Sequence, residues 1–205
     1  MLTLIFLIAF IFSFLGSIPP GSINLSVIQL SLDGRLSAAL RFAIAAALIE
    51  FPYAFIAVQF EGWITSSPVI INNFKLIAAS VMLLLGVVNL WPQKKSPSKM
   101  METIRNSGFR KGVIISLLNP LAIPFWIGIT AYLKHQGWVR LASIDQVFVY
   151  VLGIAVGTFF LLALLALLAK RLRPVIAKSE FIKIIPGVVF LLLGSYALLQ
   201  FFELV

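Results

Sequence analysis

The stretch from Met1 to Leu32, MLTLIFLIAFIFSFLGSIPPGSINLSVIQLSL, carries no charged residue. As one continuous helix rising ~1.5 Å per residue it would reach roughly 46 Å, well beyond a hydrocarbon core of about 30 Å. Something must therefore bend it, and Pro19, Pro20 and Gly21 stand a little past its midpoint. Two prolines remove two backbone donors, and glycine permits irregular dihedrals. At membrane depth such a break is tolerated only where the freed backbone faces protein or a water-filled cavity. Ser22 and Asn24 follow at once, small polar groups suited to capping the restarting helix or touching a solute. The stretch lacks a basic n-region and an A-x-A-like cleavage site, so it is expected to belong to the mature fold.

The remaining sequence repeats this pattern. Leu76–Gln93, Gly112–Leu133, Gln146–Ala169 and Ile184–Phe202 are uncharged, and Leu36–Phe60 is interrupted only by Arg41 and Glu50. Apolar residues make up 61% of the chain and charged residues 11%, a balance that makes lipid the main solvent. The expected fold is an all-α integral membrane protein with six transmembrane helices. Lys and Arg flanking these spans number thirteen on one side (Arg35 and Arg41, the 94–111 group, the 170–183 group) and three on the other, Lys75, Lys134 and Arg140. The positive-inside rule puts the thirteen in the cytoplasm and both termini outside, in a cytoplasmic (inner) membrane. The net charge of +9 is thus a matter of orientation, and no nucleic-acid partner is expected.

A basic loop, residues 92–111, divides the single transmembrane domain 1–205 into a first half, 1–91, and a second, 112–205. Three spans per half force the halves into opposite orientations, the plan of two inverted three-helix repeats. Span 4 opens the second half with Asn119-Pro120, and Pro124 follows one turn later. Asn before Pro reads as N-cap and first helical residue. Each half then begins with a broken helix whose restarting part aims free N–H groups and a positive dipole end inward, which suits a carboxylate. Prolines also kink membrane helices without any such purpose. Two interruptions at equivalent places favour a site.

Glu50 is the one acid near the middle of a span, at a cost of about 2.5–3.5 kcal/mol on insertion scales. Ala39, Ala43, Ala46, Ala47, Ala54 and Ala57 share its helical face, and Ile44, Leu48, Phe51 and Phe55 are expected to face lipid. Arg41 is on the far side of the helix, roughly 13 Å away along it, and is expected to snorkel to the headgroups. Glu50 is therefore either a structural hydrogen-bonding acid or a group for proton coupling or ammonium recognition. Gly153 and Gly157 form a G-x-x-x-G packing motif in span 5, a span that otherwise reads as scaffold with Thr158 its main polar residue. Trp63, Trp91 and Trp138 lie at span ends as interfacial anchors. Trp126, with Phe125, lies deeper and has two readings, cavity lining or core packing.

No cysteine is present and His135 is the single histidine, which leaves no disulfide, thiol relay or histidine metal cluster, and no cofactor is expected. No Ser/His/Asp or metal-ligand set supports an enzyme within the membrane. Taken together, LGSIPPGSINL (Leu15–Leu25), Asp33-Gly34-Arg35 and FRKGVIISLLNP (Phe109–Pro120) resemble the motifs of the LysE/RhtB family of amino-acid exporters. The likeness covers most of the chain. It departs at Ser22, where the family usually has proline, and in the alanines from Ala43 to Ala47, where glycine is common. The resemblance implies export of amino acids or related small solutes, driven by an ion gradient with the proton as the expected coupling ion. Pro20, Gly21, Ser22, Asn24, Glu50, Asn119, Pro120 and Trp126 are the residues expected to bind and pass the solute. The expected partners are the lipid bilayer, the solute and the ion; a homo-oligomer stays open. Two alternatives remain, a non-transport assembly or accessory protein and an inorganic cation exporter of the same superfamily.

Overall fold

The structure is a computed structural model. It describes residues 1–18, 21–66, 107–119 and 122–176, with positions 76, 80, 83, 87, 188, 191, 192, 194–196, 198, 199 and 202. Their secondary structure is entirely helical: α1 (Leu2–Gly16), α2 (Ser22–Leu32), α3 (Leu36–Thr65), α4 (Gly108–Leu117), α5 (Ala122–His135) and α6 (Ile144–Ile176). Within α3 and α6, Leu36–Trp63 and Ile144–Arg171 are long and apolar enough to cross a membrane, and α4 with α5 makes a third crossing if the pair, bent by 68°, is one span. α1 and α2 are shorter apolar helices. The expected third and sixth spans and Trp91 lie wholly or largely outside the described residues, as does most of the basic loop.

Local chemistry sets the ends of these helices. α2 stops at Gly34, whose φ of 81° lies in the left-handed region; the Arg35 amide then reaches the Leu30 carbonyl at 2.9 Å. At the start of α6 the Ser143 hydroxyl accepts from the Gln146 backbone N–H at 3.4 Å, and the Gln146 side-chain oxygen Oε1 accepts from the Ser143 backbone N–H at 3.2 Å, a reciprocal capping box. Ser107 caps α4 by accepting from the Arg110 amide at 3.2 Å.

Packing is crossed between the two parts of the chain. α4 runs alongside the first part of α3: a methyl group added to Gly112 would lie 2.7 Å from the Phe42 carbonyl and 2.8 Å from the Ala45 side chain. α5 continues alongside the later part, where Trp126 meets Glu50 and Lys134 meets Glu61. Residue numbers rise together, so the bent pair is parallel to α3. α6 stands in the same relation to α1 and α2. Gly153 and Gly157 abut Phe6, Ala9, Phe10 and Ser13 of α1, and further on the Ser31 hydroxyl donates to the Ala166 carbonyl at 2.5 Å. Between themselves α3 and α6 are antiparallel. Ala38, Phe42 and Ala46 share a core with Leu162 and Ala166, whereas Ala54 and Ala57 share one with Val147, Tyr150 and Ile154. Lipid supplies little hydrophobic drive between helices, so small residues and interhelical hydrogen bonds hold these seams together.

The alanine face of α3 is buried as expected, from Ala39 to Ala57. The outward stripe differs from expectation. Ile44, Leu48 and Ile56 are exposed, but Phe51 and Phe55 are half-buried, and Phe51 packs edge-on against Phe148 of α6 with ring centres 5.5 Å apart. Positions four apart track one side of the helix, and both phenylalanines fall off that stripe. Arg41 is exposed, with Nε donating to the Ser37 carbonyl.

Candidate functional site

The break between α1 and α2 lies where the Pro-Pro-Gly sequence places it, although Pro19 and Pro20 themselves are outside the described residues. Gly21 is the N-cap of α2, in extended conformation and with no side chain to accept from the first-turn amides. Ser22 begins the helix, half-buried beside it. Asn24 does not cap the helix it belongs to. Its Nδ2 reaches back to the Ser17 carbonyl at 2.7 Å and the Ile18 carbonyl at 3.5 Å, supplying donors to carbonyls freed at the end of α1.

The second break follows the same plan with different partners. α4 ends at Leu117, Asn119 follows it, and the described part of α5 is Ala122–His135; Pro120, and with it the start of the helix that Asn119 is expected to cap, lies outside the described residues. The Leu117 carbonyl accepts from the Tyr53 hydroxyl at 2.7 Å. Tyr53 is three residues after Glu50 on α3, and so shares its face. Glu50 in turn accepts through Oε1 from the indole N–H of Trp126, in the first turns of α5. Both residues are buried. Trp126 thus fulfils two roles, packed in the core among Ile5, Ala54 and Ile154 and bonded to the acid.

Phe125 brings the two breaks together. Its ring lies edge-on to Trp126 at 4.9 Å, and a methyl group on Gly16, the last residue of α1, would fall 2.6 Å from it. The structure therefore joins α1, α5 and Glu50 of α3 at one place, and holds Asn24 to its own break. On α4 the buried residues are Gly108, Gly112 and Ser116, four apart on the face packed against α3. Continuing that register, Ser116 reaches the turn of α3 that carries Glu50. Its hydroxyl is buried and has no hydrogen-bond partner among the described residues. Such a group costs about 1–3 kcal/mol unless something satisfies it.

Sequence reasoning passed over Tyr53, Ser116 and a second buried acid. Glu61, just beyond the expected end of span 2, is buried and bonded to Lys134 at 2.5 Å, so Glu50 is not the only acid turned inward. Its spacing of eleven from Glu50, three helical turns, was the available signal. Thr158, read as a minor mark on a scaffold span, pairs with Ser13 of α1 at 3.0 Å. Among the described residues no group of three or more His, Cys, Asp or Glu is placed to hold a metal ion.

With two broken helices meeting beside a buried carboxylate, comparison with known families is decisive. The family model for LysE type translocators matches residues 14–200, a range that takes in both breaks and Glu50. The chain belongs to the LysE type translocator family. It is therefore an integral membrane protein of a transporter family, one whose members move small solutes outward and are not enzymes. Comparisons with curated proteins and with solved structures return no match.

Proposed function

We propose that this translocator is a secondary active exporter of amino acids or closely related solutes, coupled to the proton gradient across the cytoplasmic membrane. The observation that carries the proposal is the placement of Glu50: a buried carboxylate between two helix breaks, engaged by a neutral donor, Trp126, rather than by a cation. The indole occupies one carboxylate oxygen, and the other is the one a solute ammonium or a proton would meet. The first turn of α2, uncapped by any side chain at Gly21, offers amide N–H groups and a positive dipole end to a solute carboxylate. Ser116, Asn119 and Trp126 are the further residues assigned to the path in this reading.

Topology supports the reading. Six alternating crossings require span 1 to be parallel to span 5 and span 2 to span 4, which is the relation of α1–α2 to α6 and of α4–α5 to α3. Two inverted halves would also generate this exchange, each unbroken helix lined by the other half's broken one. Arg35, Arg110, Lys111, Lys170 and Arg171 belong to the helix ends gathered at one side, Lys134 and Arg140 to the other, in keeping with both termini outside.

The test compares Glu50→Gln with Glu50→Leu in a host lacking other exporters for the solute, measuring abundance and efflux together. Glu50→Gln keeps size and an amide that hydrogen-bonds, so the protein should insert normally while net efflux collapses. A structural acid gives the opposite pattern, near-normal efflux in Gln and loss of abundance only in Leu. Full transport by the Gln protein removes Glu50 from the mechanism.

A further inference from the structure

Above Glu50, toward the end of α3 that has Lys134 as a neighbour, a second polar line crosses the interface with α5. Glu50 and Glu61 lie eleven residues apart, on one face of α3 and roughly 16 Å from each other along its axis. Between them on that face are Ala54 and Ala57, both fully buried. The covering face of α5 steps by four through Trp126, Thr130 and Lys134. Trp126 bonds Glu50, Thr130 pairs with the Tyr150 hydroxyl of α6 at 3.1 Å, and Lys134 bonds Glu61. A lane of two methyl groups thus joins two inward-facing carboxylates, packed under α5 and α6.

The two members of the outer pair differ in access. The Glu61 side chain is 7% exposed and that of Lys134 is 42% exposed. A carboxylate buried to this degree needs a cation or several donors, whereas a half-exposed ammonium on a flexible stem is readily solvated without it. The residue free to leave is the lysine. Its departure uncovers Oε2 of Glu61, the atom it holds, to which another primary ammonium can bond.

Building on the export reading above, we propose that Glu61 is a second, exit-side station for the ammonium group of the solute, and that Lys134 is its resident competitor. In this scheme the solute passes from Glu50 to Glu61 along this face of α3. It displaces Lys134 from Glu61, and is itself displaced into the external medium when the lysine returns. No covalent step is involved; one ammonium replaces another at the same carboxylate.

The test uses the full chain in proteoliposomes loaded with an equimolar mixture of the twenty common amino acids, their release measured by mass spectrometry. Exchanging the pair, Glu61→Lys with Lys134→Glu, preserves an ion pair between α3 and α5 but puts the acid on α5, off the lane. The exchanged protein should keep its melting temperature and lose release by about tenfold or more, the range spanned by one charge-assisted hydrogen bond. Wild-type release from the exchanged protein overturns the station. If the exchange does not fold, the neutral pair Glu61→Gln with Lys134→Gln is compared with Lys134→Gln alone. Release about tenfold lower in the double variant supports the station, and equal release overturns it. Glu50→Gln in the same vesicles keeps the two readings apart: its loss of release with full activity of the exchanged pair sinks Glu61 only, while absence of release from the wild-type protein sinks both.

Discussion

The first break in the chain is repaired by its own span, and the second by the opposite half of the molecule. At the first, Asn24 of α2 donates across the gap to the carbonyls at the end of α1, so that both sides of the break are tied by a residue seven positions away. At the second, the donor to the Leu117 carbonyl is Tyr53 of α3, and the partner of Trp126 beyond the gap is Glu50 of the same helix. A self-tied break is a fixed bend. A break held from outside can change its partners when the helices move, and it is the one that stands beside the ionisable group.

The widest test of this contrast concerns the seams that carry the breaks. α4 meets α3 through Gly112, and α1 meets α6 through Gly157, where an added methyl group would lie 2.5 Å from the Phe10 carbonyl. In both cases the obstacle includes backbone, which cannot rotate aside. Gly112→Leu and Gly157→Leu should each cost more than the ~1–3 kcal/mol usual for overpacking and leave little folded protein, as read by size-exclusion chromatography of detergent extracts. Gly128→Ala, which meets nothing within 4 Å, should elute as wild type. If Gly157→Leu survives while Gly112→Leu does not, the two seams are not equivalent and the crossed symmetry of the halves fails.

A finer comparison separates the ties themselves. Asn24→Ala and Tyr53→Phe each delete a donor to a freed carbonyl, and each should lower stability by about 1 kcal/mol. Their effects on transport should diverge. Asn24→Ala should lower the melting temperature and leave the efflux rate per folded molecule close to normal. Tyr53→Phe, on the face of α3 that bears Glu50, should reduce that rate several-fold as well. Equal rates in the two variants would erase the distinction between a fixed break and a working one.

Much of this arrangement was legible in the chain itself. Pro-Pro-Gly and Asn-Pro mark both breaks because proline's missing N–H is a local fact, and six alanines mark the buried face of α3 because helical period alone assigns a face. Glu50 stood out by its cost in lipid. Its partner did not, since Trp126 is 76 positions away and only the register of α5 against α3 brings the indole to it. Direction was equally hidden: Asn24 has the chemistry of a cap for α2, and only three-dimensional placement turns it back to α1. Phe51 and Phe55 were misassigned because bulk was taken for lipid exposure, when a second helix, α6, was there to receive Phe51.

The smallest expected effect concerns Ser116, and its interest lies in having two opposite signs. Its buried hydroxyl has no partner among the described residues, so its desolvation is uncompensated there. Ser116→Ala removes that cost with little change in volume, and should raise stability by up to about 1 kcal/mol, seen as a higher melting temperature. If the hydroxyl is kept for a polar group of the solute, as its level beside Glu50 suggests, the same change should weaken solute binding by as much as about tenfold. Melting curves recorded with and without solute measure both quantities: the variant should start higher and gain less on adding it. A variant that starts higher and gains as much as the wild type would show that the hydroxyl never meets solute, and would confine the site to Glu50 and the restarting end of α2. A variant that starts lower would mean that Ser116 has a structural partner, and the second break would then be tied from within its own span as well.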